Sequence, residues 1–170
     1  EQLQTITPSS LQQNENNISL NEIRHNVKEL FWVIRSTFTG NILNNDYFDF
    51  SSHLNTTEDA NNCISLNNED CTAPRSSKYF SQMQAYEHHT NVPVKEICCF
   101  NFCIYPENFQ PSGNCYFTDI KQKHLRLDVT SEPSDQEFVS NGYAVAAADS
   151  GTASVIEVSI FALNYNKIYI

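Results

Sequence analysis

The amino-acid sequence predicts an all-β protein, a β-sandwich or jelly roll that forms one domain. Short runs rich in β-branched and aromatic residues recur along the chain, and long polar loops separate them. The 170 residues are enough for a domain with a hydrophobic core. Hydrophobic residues make up 40% of the chain and aromatic residues 12%, which is typical of globular proteins.

The N-terminal part of the chain contains one strong strand prediction and two weaker ones. In residues 28–38, apolar side chains from Leu30 to Ile34 follow the period of two that is typical of a strand. Residues 1–7 and 18–23 are weaker strand candidates, and a polar loop separates them.

A long polar stretch at residues 40–62 predicts a loop. Its aromatic residues are Tyr47, Phe48 and Phe50, and we expect them to be buried and to anchor the loop on the core. Residues 63–66 then predict a short strand.

One short helix is predicted within a loop, at residues 76–85. Ser76 or Ser77 is expected to cap its N terminus, because a serine side chain satisfies backbone N–H groups of the first turn. Tyr79, Phe80 and Met83 give this helix an apolar side.

Two further strands are predicted at residues 97–105 and 114–120. The first is β-branched, aromatic and thiol-rich, with apolar side chains at both parities, so both of its faces should be covered. Pro106 ends this strand, and the turn signal Pro111-Ser112-Gly113 precedes the second one. The segment between them is therefore a connecting loop.

The C-terminal part also predicts β-structure. Residues 124–129 form a strand with Leu125, Leu127 and Val129 on one face. Polar residues 132–140 form a loop. Two further stretches follow. Residues 144–148 are either a strand or a packed small-residue segment, and residues 155–170 are the longest β-like run.

Four ordered pieces of sequence resemble the second jelly roll of the major capsid proteins of nucleocytoplasmic large DNA viruses. The resemblance covers residues 18–170, although Asn26-Val27 stands where that family usually has His-Pro or Asn-Pro. The matching residues are Asn26-Val27-Lys28-Glu29-Leu30-Phe31-Trp32-Val33-Ile34, His89-Thr90-Asn91-Val92-Pro93, Pro106-Glu107 with Gln110-Pro111-Ser112-Gly113 and Cys115-Tyr116-Phe117-Thr118-Asp119-Ile120, and Phe161-Ala162-Leu163-Asn164-Tyr165-Asn166.

The resemblance implies a structural role. Members of that family are double jelly-roll subunits, three of which form a pseudohexagonal capsomer that tiles an icosahedral shell. Each jelly roll has eight strands in two four-stranded sheets. Because the sequence predicts six to seven strands, we expect one or two N-terminal strands to be missing. We also expect residues 1–170 to be a single domain of a larger polypeptide.

The same resemblance implies partners and a location. The expected partners are two further copies of the subunit, neighbouring capsomers and minor capsid proteins. The expected location is the virion capsid, with assembly in the host-cell cytoplasm.

The charge of the chain argues against nucleic-acid binding. Its formal net charge is −10 at pH 7, whereas a phosphate backbone favours clustered lysine and arginine. No apolar run approaches the about 18 residues that a membrane helix needs, so direct membrane insertion is not expected. One basic cluster is predicted to be a solvated strand edge or turn, with a subunit contact as the alternative: Lys121, Lys123, His124 and Arg126.

The six cysteines are predicted to be reduced and mostly buried. Four lie within or beside the two apolar strands, where a thiol behaves as a small hydrophobic group. The open alternative is a disulfide between Cys63 and Cys71, which would close a small loop. The cysteines are Cys63, Cys71, Cys98, Cys99, Cys103 and Cys115.

The candidate chemical groups do not predict an enzyme. Adjacent His88 and His89 would point to opposite faces of a strand, so we expect structural hydrogen bonds from them rather than metal ligation. His53, near Glu58-Asp59, is no better placed. We therefore expect no catalytic, cofactor-binding or metal-ligating residue and no cofactor. The sequons at Asn17 and Asn55 are expected to be chance matches.

Two other functions remain open on the sequence. A carbohydrate-binding or receptor-binding β-sandwich of a minor virion or spike protein would expose clustered aromatic residues on its loops. A jelly-roll enzyme of the cupin kind would need inward-facing histidine and carboxylate ligands on paired strands. The two apolar strands contain no histidine, so this last alternative is the weakest.

Overall fold

A computed structural model describes residues 2–6, 14–36, 48, 50, 54–129 and 156–165. Within these ranges the chain forms nine strands and one short helical segment, in which a π-helical turn leads into an α-helix. The elements are β1 (Gln2–Ile6), β2 (Asn14–Ser19), β3 (Asn26–Ser36), β4 (Cys63–Leu66), β5 (Glu69–Asp70), the π-helical turn (Tyr79–Met83), α1 (Gln84–His88), β6 (Cys98–Asn101), β7 (Cys115–Tyr116), β8 (Lys123–Val129) and β9 (Ile156–Tyr165).

The strands form two antiparallel sheets. The first has the order β1-β9-β3-β6, with β7 also paired to β3, and the second has the order β2-β8-β4-β5. The described strands are thus divided between two antiparallel sheets, as in a jelly-roll sandwich. The described residues contain nine strands, more than the six to seven expected, and β1 and β2 correspond to the weaker strand candidates at residues 1–7 and 18–23.

Strands β3 and β9 form the longest strand pairing of the first sheet. Leu30, Trp32 and Ile34 are at most 1% exposed and lie on one face of β3, as the sequence predicts. Leu30 pairs with Ala162 and Trp32 pairs with Ile160, so the buried faces of the two strands are continuous. Alternating burial of this kind is what fixes strand register in a sandwich.

The second sheet supplies the opposite wall of the core. Leu125, Leu127 and Val129 of β8 are buried, which confirms that they share one face. Leu125 pairs with Ile18 of β2 and with Ile64 of β4, and all three belong to the same core cluster as the inward side chains of β3 and β9. The domain is therefore a sandwich held together by apolar burial between its sheets.

Two predicted strands are placed differently in the structure. The strand expected at residues 18–23 is β2, Asn14–Ser19, because these polar residues pair by backbone with β8. Leu20 and Ile23 are buried in the following turn, where the Ile23 N–H donates to the carbonyl of Leu20 at 3.1 Å. The buried apolar residues of this turn therefore produced a sequence pattern that predicts a strand.

The two strands around the proline-rich connection are shorter than predicted. Residues 97–105 contain β6, Cys98–Asn101, and residues 114–120 contain only β7, Cys115–Tyr116. Phe117 is buried beyond β7, but the chain turns there, and the Ile120 N–H donates to the carbonyl of Phe117 at 3.3 Å. After both β6 and β7, apolar residues remain buried although the chain no longer pairs with a neighbouring strand.

The predicted helix exists and extends beyond residues 76–85: Ser77 and Lys78 are already helical, and the π-helical turn and α1 continue to His88. Lys78, which precedes the π-helical turn, makes no side-chain cap, and the Ser77 hydroxyl accepts a hydrogen bond from Asn62. Met83 is 49% exposed, so it is not part of the buried side of the helix. Within the described ranges, no helix has the length and apolar character needed to cross a lipid bilayer.

The aromatic anchor of the long loop is contradicted at one position. Phe48 is 71% exposed, while Phe50 is half-buried, and Tyr47 lies outside the described residues. The predictions for residues 132–140 and 144–148, and for the chain beyond Tyr165, also lie outside the described residues.

Candidate interaction surface

The helical segment covers the edge strand β6 of the first sheet. Phe80 is buried in the core, and its ring centroid lies 5.3 Å from that of Trp32. The side-chain oxygen of Gln84 accepts a hydrogen bond from the backbone N–H of Asn101 at 3.3 Å, so the helix satisfies a donor of the sheet edge. The helix ends at His88, beside β3 and β6.

Groups from three segments meet at this helix end. We call them the loop junction: Lys28, Glu29, His89, Thr90, Pro106 and Glu107. His89 Nε2 lies 2.5 Å from Glu29 Oε1, and His89 Nδ1 lies 3.5 Å from Glu107 Oε1.

Further hydrogen bonds close the loop junction. Thr90 donates from its backbone N–H and from its hydroxyl to the two carboxylate oxygens of Glu107. Lys28 Nζ donates to the carbonyl of Pro106 at 2.6 Å. The loop junction therefore ties β3, the segment after α1 and the connection after β6 to one another.

Electrostatics explain why His89 lies between two carboxylates. Glu29 is 1% exposed, and the resulting desolvation raises its pKa, while His89 opposes that rise. Glu107 is exposed, and the hydrogen bonds from Thr90 hold its pKa below the ordinary value. His89 is thus the polar partner that allows Glu29 to be buried.

Cys99 adds a sulfur atom beside the loop junction. Its Sγ, one ring nitrogen of His89 and one carboxylate oxygen of Glu29 all lie within 4.8 Å of one another. Burial raises the pKa of the Cys99 thiol to about 12, so the group is protonated at neutral pH. The thiol donates a weak hydrogen bond to the carbonyl of Phe80 at 3.6 Å.

The predicted structural role of the histidine pair agrees with these contacts. His88 Nδ1 lies 3.0 Å from the carbonyl oxygen of Ile104, and His89 bonds Glu29. The two residues lie at the end of a helix, however, and not in a strand. Glu29 and Glu107, the carboxylate partners of His89, were not predicted. For Glu29, a carboxylate inside an apolar strand is itself a sign of a buried, paired acid.

The remaining chemical candidates are not brought together. His53 lies outside the described residues, and Glu58 and Asp59 are exposed in a turn. Of the two sequon asparagines, Asn17 is exposed on β2. The Asn55 side chain donates to Asp128 at 3.0 Å and accepts from the Thr57 hydroxyl at 2.7 Å.

All six cysteines lie in the described part of the chain, and each is a thiol rather than half of a disulfide. The predicted burial is found for four of them, whereas Cys115 is half-buried and Cys71 is exposed. The disulfide between Cys63 and Cys71 is not formed in the structure. The backbone N–H of Cys71 instead donates to the carbonyl of Ile64, which closes the β4–β5 hairpin.

The basic cluster is not a uniformly solvated edge, which corrects the prediction. Lys123 is only 4% exposed because strand alternation places it on the inward face of β8 with Leu125. Its Nζ donates to the carbonyls of Ile23 and Phe117 at 3.1 and 2.9 Å. Lys121 is exposed and His124 and Arg126 are half-buried, with Arg126 4.0 Å from Asp70.

Apolar side chains are exposed on the two loops that the loop junction holds. Val94 is 99% exposed and Phe109 is fully exposed. We call this set the apolar loop surface: Val92, Val94, Ile104, Tyr105 and Phe109. The two loops are joined through His88 with Ile104 and through Thr90 with Glu107. Exposed apolar groups on adjacent loops are candidates for a protein interaction site.

The loop that carries Ile104, Tyr105 and Phe109 is internally braced. The Ser112 hydroxyl accepts a hydrogen bond from the backbone N–H of Tyr105 at 2.8 Å. Gly113 has φ +148°, and a Cβ there would lie 3.0 Å from the carbonyl oxygen of Phe102, so this close approach requires glycine. The apolar loop surface is therefore presented by a defined loop conformation.

Comparison with solved structures identifies the fold. The capsid of virus PBCV-1 matches with a TM-score of 0.62 at 22% identity, over 97% of this chain and 46% of that chain. The Faustovirus major capsid protein matches with a TM-score of 0.59 at 11% identity, over 97% of this chain and 33% of that one. The predicted all-β jelly-roll sandwich is confirmed.

Sequence comparison leads to the same proteins. The major capsid protein of Chrysochromulina ericina virus is 33% identical over 107 residues, which cover 63% of this chain and 16% of that protein. The major capsid protein of Paramecium bursaria Chlorella virus 1 is 27% identical over an alignment 195 residues long with its gaps, and the alignment covers 98% of this chain and 44% of that protein.

The chain spans less than half the length of the curated relatives that it matches. A family model described as the large eukaryotic DNA virus major capsid protein matches residues 1–170. Three of the four pieces of the resemblance meet at the loop junction, and the predicted fold is present. With the family match over residues 1–170, this chain belongs to the major capsid protein family of large eukaryotic DNA viruses.

Proposed function

We propose that residues 1–170 form one jelly-roll domain of a larger capsid polypeptide, and that three copies of that polypeptide build a pseudohexagonal capsomer of an icosahedral shell. Family membership supports the role in a shell. The share of the relatives that the chain covers supports a polypeptide with further domains.

The observation that carries this proposal is the apolar loop surface. Five apolar side chains are exposed on two loops, and charged and polar contacts join these loops to each other and to β3. A pre-organised loop loses little conformational freedom when a partner covers it. We propose that a second copy of the subunit buries this surface.

The proposed role needs no catalysis and no cofactor. Further partners would be neighbouring capsomers and minor capsid proteins. The net charge of −10 disfavours direct contact with the viral nucleic acid. The reduced thiols fit assembly in the host-cell cytoplasm before incorporation into the virion.

The alternative of a carbohydrate-binding or receptor-binding sandwich is favoured by the exposed aromatic rings of Phe48, Tyr105 and Phe109. The family match favours the shell over this alternative.

The proposed contact is tested by measuring the molar mass of the protein expressed from its complete reading frame. Light scattering after size-exclusion chromatography should give three copies for the wild type. A double variant, Val94→Ser with Phe109→Ser, should give one copy, because each buried side chain of this kind contributes about 1.5–3 kcal/mol.

The matched control is Phe48→Ser, which also replaces an exposed aromatic residue but lies outside the apolar loop surface. It should leave the trimer intact. A trimer that survives the double variant would reject this surface as the contact. A wild-type monomer at all accessible concentrations would reject the trimer itself.

A further inference from the structure

We propose that Glu29, His89 and Cys99 form a zinc site that fastens the end of α1 to strands β3 and β6. The three residues supply a carboxylate oxygen, an imidazole nitrogen and a sulfur, which are the ligand types of protein zinc sites. They come from three separate segments of the chain, so an ion held by all three would act as a cross-link. This inference is independent of the capsid role.

The three ligand atoms are grouped closely enough for one ion, although His89 Nε2 and Glu29 Oε1, now hydrogen-bonded at 2.5 Å, would have to separate by about 1 Å when zinc replaces the proton between them. The three ligand atoms lie within 4.8 Å of one another, and zinc bond lengths of about 2.0–2.3 Å place tetrahedral ligands about 3.5 Å apart. Glu29 and Cys99 are buried, and His89 is half-buried at the mouth of the site. An ion would therefore be largely shielded from water while an opening remained on the side of His89.

The surroundings also suit an ion. His89 Nδ1 faces the carboxylate of Glu107 at 3.5 Å, which fixes the ring and leaves Nε2 directed at Glu29. Zinc-bound histidines commonly have such a carboxylate behind them. The Asn101 amide, which opposes Glu29 in the β3–β6 pairing, faces the Cys99 thiol, yet neither of its buried polar atoms makes a hydrogen bond of normal geometry.

The charges balance when the ion binds. Cys99 would release its thiol proton to solvent and bind as a thiolate, and the proton on His89 Nε2 would move to Nδ1, toward Glu107. One thiolate and one carboxylate then neutralise the two positive charges of Zn²⁺. A neutral cluster is the form in which charged groups are least costly to bury.

The test uses the protein expressed from its complete reading frame, treated with chelator and then titrated with Zn²⁺ by calorimetry. One ion per chain is expected. Co²⁺ in place of Zn²⁺ should give the charge-transfer absorption of a cobalt–thiolate bond. A wild-type protein with no stoichiometric binding, or with Co²⁺ bound but no thiolate band, would overturn the proposal without any variant.

Variants then assign the ligands. Cys99→Ser should remove the thiolate band, and Glu107→Gln should weaken Zn²⁺ binding by about 10-fold or more through loss of the group behind His89. The matched controls are Cys71→Ser and His88→Gln, which change an exposed thiol and the neighbouring imidazole. Binding that depends on these controls and survives Cys99→Ser would place the ion elsewhere and reject the site. Circular dichroism checks that each variant is folded.

Discussion

Among the residues that the structure describes, two charged side chains, Glu29 and Lys123, are buried, and each has partners that compensate its lost hydration. Glu29 bonds His89, and Lys123 donates to two backbone carbonyls and lies 5.6 Å from the centre of the Phe117 ring. Burial lowers the pKa of Lys123 below its ordinary value of 10.5, because the charged form loses its water. Lys123 is therefore a residue whose charge destabilises the fold while its hydrogen bonds stabilise it.

A pH series with Lys123→Met separates these two effects. Between the lowered pKa of the folded state and 10.5, the folded protein binds fewer protons than the unfolded chain, so the free energy of unfolding rises with pH. The wild type should therefore gain stability relative to Lys123→Met as the pH rises toward 10.5. Urea unfolding of both proteins measures this difference, and a difference that stays constant with pH would contradict the assignment.

Residue-scale features differ in how far the sequence predicts them. Strand parity places Lys123 on the same face as Leu125, so its burial could have been predicted from the alternation. The contact of Glu29 with His89 joins residues 60 positions apart, and Cys99 approaches both only through the pairing of β6 with β3. No local spacing in the sequence contains that information.

The helical segment and β6 act as a unit. Phe80 fills the core beside Trp32, and Gln84 satisfies the edge of β6, so the helix is held by burial rather than by its own length. A helix of this length is unstable alone in water. The position of the loop junction, at the end of α1, depends on this packing.

Phe80→Ala tests the dependence. Loss of a buried phenylalanine should cost about 3–5 kcal/mol of unfolding free energy, measured in urea. The control is Tyr86→Ala on the same helical segment, where the side chain is 75% exposed and the change should stay within about 0.5 kcal/mol. Equal losses in the two variants would show that the helix is not anchored through Phe80.

Strands with alternating apolar residues were predicted closely. β4 matches its predicted bounds, and β8 begins one residue before the predicted start. β2 was misplaced because four of its six residues are Asn or Glu and its pairing is carried by the backbone. The short β7 was overextended because Phe117 is buried in the turn after it.

At the scale of the whole molecule, two sheets enclose one core and the loop junction fixes the loops at one side of it. The jelly-roll class followed from the strand pattern, since short strands and long loops are typical of a sandwich. The family followed from the ordered pieces of resemblance and is shown by the match over residues 1–170. Assembly depends on other copies of the chain, so the sequence predicts it only through that resemblance.

The central claim is that this domain serves as a building block of a closed shell. Electron microscopy of the purified protein, expressed from its complete reading frame, tests it most directly. The account predicts three-fold particles with a pseudohexagonal outline. Isolated monomers, or particles of another symmetry, would contradict it.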